Sequence, residues 1–200
     1  AWSRVILREG SLSPPERLSA TLTAVDHRLL MFGGRQGEAT FLNDTWLFNT
    51  HSNEWVRVEQ QQLSAPDQNG AWPLPRWAHS AVRFGGAVLF FAGSAPGRCF
   101  NDLHWFDATR LEWRSQPIRS AYVPNPRSGH SACAMGGKQM WIFGGNNTKM
   151  AFNDLWFLDI VDEKWHQVKI PGESPLGRVG HTITALGARL LVLGGRHYLN

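Results

Sequence analysis

Residues 127–168 read RSGHSACAMGGKQMWIFGGNNTKMAFNDLWFLDIVDEKWHQV, and this stretch decides the fold. It holds four short runs. The first starts at His130, the second is the apolar run into Ile142-Phe143-Gly144-Gly145, the third is Asp154 to Leu158, and the fourth starts at Trp165. Runs this short, rich in β-branched and aromatic residues and bounded by Gly, Pro, Asn and Asp, form strands rather than helices. No sustained helical period competes with that reading.

The same order of features recurs along the chain. Apolar runs end in glycine at Met31-Phe32-Gly33-Gly34, Phe91-Ala92-Gly93 and Val192-Leu193-Gly194-Gly195. The first members of these doublets stand at 33, 92, 144 and 194, so the unit is about fifty residues long. An Asn-Asp pair follows at Asn43-Asp44, Asn101-Asp102 and Asn153-Asp154, and a lone tryptophan follows each pair at Trp55, Trp113 and Trp165. Trp2 fits the same register as the tryptophan of a preceding unit. Arg-x-x-His-Ser/Thr opens three units, at Arg76 to Ser80, Arg127 to Ser131 and Arg178 to Thr182. The first unit departs from it, with Leu18 expected in the histidine's place; Ala92 replaces a glycine, and Asn49 replaces a third-strand aspartate. Glycine lets the chain turn sharply out of the second strand, and tryptophan is a wedge large enough to fill the space between neighbouring sheets.

Four strands repeated at this period, with these markers in this order, resemble the kelch repeat. The resemblance implies an all-β fold, a kelch-type β-propeller, and it covers essentially the whole chain. The expected layout is 1–10 as the last strand of a preceding blade, 11–60, 75–118 and 126–170 as blades, and 176–200 as the first half of a further blade. Propellers close with four to eight blades, so the chain is expected to be an excerpt of a ring of six or so. The segment Trp2 to Leu7 could complete the last blade, but a third strand would still be needed.

Composition narrows the function. The net charge is +4 and the basic residues are scattered, which disfavours nucleic acid. No apolar stretch is long enough to span a membrane. The two cysteines, Cys99 and Cys133, are few for a secreted loop-rich scaffold, and this favours an intracellular setting, in cytoplasm or nucleus. The N-x-T sequons at Asn43 and Asn146 pull weakly the other way, and the first belongs to the repeat.

Strand parity places the work on one face. The turns between first and second strands are short, whereas Arg35 to Leu42, Ser94 to Phe100, Asn146 to Phe152 and the inter-blade segment Glu59 to Leu74 are long and varied. Long loops on a rigid scaffold are where recognition sits. The candidate partner-binding residues there are Arg35, Arg98, Asn146, Asn147, Lys149, Arg196 and His197, a basic mouth suited to an acidic or phosphorylated protein segment. Trp72 lies outside every repeat position and reads either as a binding anchor or as a plug under its loop.

Catalysis finds little support. His79, His130 and His181 invite a metal reading, but no local ligand spacing accompanies them, and structural hydrogen bonding within or between blades is the better account. The kelch architecture also occurs in copper oxidases of the galactose oxidase type, sialic acid epimerases and specifier proteins. The oxidase would need a Tyr-Cys cross-link, and only Tyr122 and Tyr198 are present. The expectation is no catalytic residue, no metal and no cofactor. Pro73 to Ala81 and Gly177 to Thr182 resemble plant-type F-box/kelch proteins. That resemblance implies substrate recognition for a cullin-based ubiquitin ligase, its adaptor bound through an F-box outside these residues. Kelch scaffolds and acyl-CoA-binding kelch proteins are the alternatives.

Overall fold

The computed structural model describes residues 2–59 and 72–197, and its regular structure is entirely β. Among those residues no helix is long and apolar enough to cross a membrane. The inter-blade stretch 60–71 and Tyr198 lie outside the described residues.

The first sheet is built from β1 (Thr21–Val25), β2 (Arg28–Phe32), β5 (Thr45–Asn49) and β6 (Glu54–Val58), and a small ribbon of β3 (Arg35–Gln36) and β4 (Thr40–Phe41) sits between β2 and β5. The second contains β7 (Ser80–Phe84), β8 (Ala87–Ala95), β9 (Arg98–Asp107) and β10 (Glu112–Gln116). The third contains β11 (Ser131–Met135), β12 (Gln139–Phe143), β13 (Leu155–Asp159) and β14 (Lys164–Val168). A two-stranded sheet of β15 (Arg178–Leu186) and β16 (Arg189–His197) follows. Each four-stranded sheet is an antiparallel meander in chain order. This repetition of four-stranded sheets is that of propeller blades.

The blades stack through apolar clusters with the lone tryptophans at their centres. Val25, Leu30, Phe32 and Leu47 of the first blade meet Val88, Phe90, Phe106 and Trp113 of the second. Leu89, Phe91 and Leu103 then meet Met140, Ile142, Trp156 and Trp165. The Trp113 ring lies 4.7 Å from Phe32 and 4.8 Å from Phe90, and Trp165 lies 4.9 Å from Phe91. Each indole therefore wedges against the second strand of the preceding blade. Trp55, at the same position of the first blade, instead packs on Phe48 of its own sheet.

At the wedge the two seams differ in one atom pair. Trp113 Nε1 donates to Thr45 Oγ1 at 3.1 Å, whereas Trp165 Nε1 is buried without an acceptor. The reason is in the sequence: the residue after Asp44 is Thr45, and the residue after Asp102 is Leu103.

Three expectations need correction. Ala20, not Leu18, occupies the histidine position, because Leu18 bridges Arg35 as Trp77 bridges Ser94 and Ser128 bridges Asn146. Trp2 to Leu7, expected as a last strand, form no strand among the described residues, and Trp2 is fully exposed. The stretch Ser94 to Phe100 is a continued hairpin rather than a loop, with a register shift between Phe91 and Gly93. Its tip is formed by Pro96-Gly97, and Gly97 has φ +75°.

Candidate functional site

The face carrying the second-to-third connections is organised by arginine–aspartate pairs. Arg17, Arg76 and Arg127 each open a blade, and each donates two hydrogen bonds to the aspartate of that blade's Asn-Asp pair. The distances are 2.6 and 2.9 Å to Asp44, 2.6 and 2.8 Å to Asp102, and 2.7 and 2.8 Å to Asp154. The same guanidiniums donate to the carbonyls of Gly33, Ala92 and Gly144, the first member of each glycine doublet. Arg178 repeats the last contact, donating to Gly194 O at 2.9 Å. Arg76 and Arg127 are fully buried, and the bidentate carboxylate that meets each guanidinium offsets the cost of burying its charge. The Arg17 guanidinium and the Trp46 indole lower the pKa of Asp44 despite its burial, and Arg76 and His104 do the same for Asp102.

The neighbouring asparagines tether the incoming chain. Asn43 Nδ2 donates to Pro73 O and Asn101 Nδ2 to Pro124 O, both at 3.3 Å. Thr45 of the first sequon is fully buried, which accounts for that sequon as a structural element.

The first glycine, at Gly33 and Gly144, leaves room for the next blade, whereas the second leaves room for the opening of its own blade and bonds the next blade through its amide. Gly145 N donates to Arg178 O at 2.9 Å, and a Cβ built on Gly145 (φ +86°) would stand 2.8 Å from both His130 Cβ and Ser128 O. A continuous run of backbone bonds also links the blade openings: Ala78 N to Ser19 O, Gly129 N to Ala78 O and Gly180 N to Gly129 O, each 2.9 Å.

The histidines stitch these openings together. His79 Nε2 contacts Thr21 Oγ1 at 2.9 Å, and His130 Nε2 contacts Ser80 Oγ at 2.8 Å, each reaching the preceding blade. His181 Nε2 donates to Phe143 O at 3.1 Å. Burial, aided by the charge of Arg76, pushes the His79 pKa down to about 3. Burial also holds His130 well below its ordinary value and lowers His181. All three are neutral hydrogen-bonding groups at physiological pH.

The residues expected to bind a partner fall into two groups. Trp72 is half-buried, donates from Nε1 to Asn43 O at 2.9 Å and lies 6.1 Å from the Trp113 ring, so it packs against the seam between the first two blades. Asn146 is part of the framework, bridging Ser128 and Ala151 through its backbone, while Asn147 Oδ1 accepts from the backbone amides of Lys149 and Met150. Arg98, Lys149, Arg196 and His197 are exposed, and Arg35 is half-buried. Among the described residues no carboxylate pairs with Arg35, Arg98 or Lys149. Arg35 on β3 and Lys149 follow second strands, Arg98 opens β9 at the hairpin tip, and Arg196 and His197 end β16, paired with Val179 and Arg178.

Sequence reasoning overlooked two sets of residues. The arginine–aspartate pairs were visible as a constant separation of 27, 26 and 27 residues. The aromatic shelves under the arginines were not: Arg35 lies 4.9 Å over Trp77, Arg98 4.6 Å over Phe100, Arg76 4.3 Å over Phe100, and Arg127 4.3 Å over Phe152.

Comparison with known proteins agrees with this geometry. The family model described as the KLHDC2/KLHL20/DRC7 Kelch-repeats domain matches residues 1–195. The chain is 34% identical over 190 residues to Kelch domain-containing protein 3 of Bos taurus, covering 91% of this chain and 49% of that protein. It is 31% identical over 194 residues to Adagio-like protein 3 of Oryza sativa subsp. japonica, covering 93% and 29%. It is 29% identical over 184 residues to Acyl-CoA-binding domain-containing protein 4 of Arabidopsis thaliana, covering 90% and 25%. The chain thus spans about half the length of the first of these relatives and less of the others. With its blades, buried arginine–aspartate pairs and wedge tryptophans in register, the chain belongs to the Kelch-repeat domain family.

Proposed function

We infer that this chain is the substrate-recognition part of a larger protein, holding a protein target on the face that carries Arg35, Arg98, Lys149 and Arg196. Kelch repeats generally bind other proteins. The observation that carries the reading is a division of labour among cations at one end of the blades. Arg17, Arg76 and Arg127 are neutralised by aspartates and hold the scaffold, while Arg35, Arg98 and Lys149 have no carboxylate partner among the described residues. Cations exposed on these connections suit an acidic or phosphorylated segment, because arginine pairs both groups in bidentate fashion.

The finer reading is delivery of that target to a cullin-based ubiquitin ligase. It is supported by the resemblance of Pro73 to Ala81 and Gly177 to Thr182 to F-box/kelch proteins. Affinity purification of the full-length protein from its own cells, followed by mass spectrometry, tests it. Recovery of a cullin with its F-box-binding adaptor is the expected result. A stable partner set without them would make the propeller a general scaffold. The likeness to an acyl-CoA-binding domain-containing protein favours a second reading, and acyl-CoA bound by a segment flanking the repeats would support it.

A further inference from the structure

We propose that the seam between the second and third blades is a built-in opening point of the propeller, at which the third blade parts from the first two. This opening is independent of which partner the loop face holds.

The repeat allows the two seams to be compared contact for contact. In the first seam, directional contacts reinforce the apolar cluster. Trp113 Nε1 donates to Thr45 Oγ1 at 3.1 Å. Trp72, in the connection between the blades, donates to Asn43 O of the first at 2.9 Å and lies 6.1 Å from the Trp113 ring of the second. The Arg35 guanidinium lies 4.9 Å over the Trp77 ring. At the opposite end, Arg83 Nη2 donates to Asp26 Oδ1 at 2.6 Å.

Each of these residues has a counterpart in the second seam. Leu103 stands where Thr45 does, and Trp165 Nε1 is buried without an acceptor among the described residues. Val123 takes the place of Trp72, because Asn101 tethers Pro124 as Asn43 tethers Pro73. Ser94 and Ser128 replace Arg35 and Trp77, since the bridges Leu18 to Arg35, Trp77 to Ser94 and Ser128 to Asn146 are equivalent. Gly85 (φ +59°) follows β7 as Asp26 (φ +52°) follows β1, and Ala134 holds in β11 the place of Arg83 in β7. The side chains of Leu103, Val123, Ser94, Ser128, Gly85 and Ala134 supply neither ring nor charge. An open cleft also lies in this seam, between Leu103, Trp105 and Pro117 on one side and Leu158 and Ile160 on the other.

Both seams keep the histidine contact, from His79 to Thr21 and from His130 to Ser80. The bonds of Arg119 to Glu163 and of Trp165 N to Ser120 Oγ fasten the connecting segment to the third blade and move with it. Arg98 stands on the second blade and Lys149 on the third, so opening separates their loops, and a partner touching both would hold the seam closed.

Matched backbone bonds report on each seam. Gly34 N donates to Arg76 O and Ala78 N to Ser19 O across the first; Gly93 N donates to Arg127 O and Gly129 N to Ala78 O across the second. Hydrogen exchange of the intact full-length protein under native conditions, read at single amides and corrected for intrinsic rates, compares them. The expected result is exchange at Gly93 and Gly129 faster than at Gly34 and Ala78 by about tenfold or more. Thr45→Val, which removes the indole acceptor of the first seam, should speed Gly34 and Ala78 by about fivefold or more and leave Gly93 and Gly129 unchanged. Equal protection in the two seams, slower exchange in the second, or a Thr45→Val protein in which all these amides change together would overturn the proposal. Should Thr45→Val fail to fold, the comparison within the unaltered protein decides alone.

Discussion

Removing Asp154 is the most informative perturbation of the scaffold. Its carboxylate accepts two hydrogen bonds from Arg127, at 2.7 and 2.8 Å, and one from Trp156 Nε1 at 2.7 Å. The Arg127 side chain is 0% exposed and that of Asp154 is 20% exposed. In Asp154→Ala the guanidinium stays buried, keeping only its bonds to Gly144 O and Asn125 O. Breaking a buried pair from one side costs about 3–5 kcal/mol. Water can enter beside the vacated carboxylate, which places the charge loss near 3 kcal/mol, and the orphaned indole adds about 1 kcal/mol. Asp102 is 40% exposed, so Asp102→Ala should cost less than Asp154→Ala. Urea denaturation of the intact protein, read as a shift in midpoint at constant slope, measures both. A loss below about 1 kcal/mol for Asp154→Ala would refute the claim that the arginine–aspartate pairs hold the blades.

Three further outcomes follow from the same contacts. The folded-state pKa of His79, about 3, lies below its ordinary 6.5, so between these values the unfolded chain binds a proton that the folded chain does not. Its contribution to stability is complete above pH 6.5 and is lost as the pH falls through that window, with a slope of up to about 1.4 kcal/mol per pH unit. His79→Gln should flatten the stability profile there, as measured by denaturation across pH. Thr45→Val should cost about 1–2 kcal/mol by leaving Trp113 Nε1 without an acceptor, and thermal or urea unfolding would report it. Gly145→Ala should destabilise by more than about 2 kcal/mol, because the residue has φ +86° and the new methyl meets His130 and Ser128 at 2.8 Å; circular dichroism melting measures the loss.

The fold was legible because the repeat writes each strand and turn several times. The glycine doublets, Asn-Asp pairs and lone tryptophans fall on strand ends, tethers and wedges as their chemistry requires. Ala20 was harder to place, since a small residue where histidine is the rule carries no signal of its own; the shared arginine, three residues earlier, fixes the register. Trp72 could not be resolved from sequence, because an indole above a seam and one in solvent look alike in a proline-flanked loop. Arg35 was visible as a loop cation, but its shelf, Trp77, meets it only across a blade boundary; Arg98 and Phe100 stand two residues apart on β9, a same-face spacing legible once that strand is assigned. The seam without an indole acceptor was legible in principle, in Thr45 against Leu103, once the wedge role of Trp165 is known.

Charge reversal on the loop face most directly tests the central claim, that this end of the propeller recognises a protein partner. Arg35→Glu, Arg98→Glu, Lys149→Glu and Arg196→Glu are combined in the full-length protein. A control reverses Arg110 and Lys138 on the opposite turns, and partners are quantified by affinity purification and mass spectrometry. The account predicts that the loop-face variant loses its principal partners while the control keeps them. Partner recovery unchanged in the loop-face variant, with its fold intact by circular dichroism, would contradict the account.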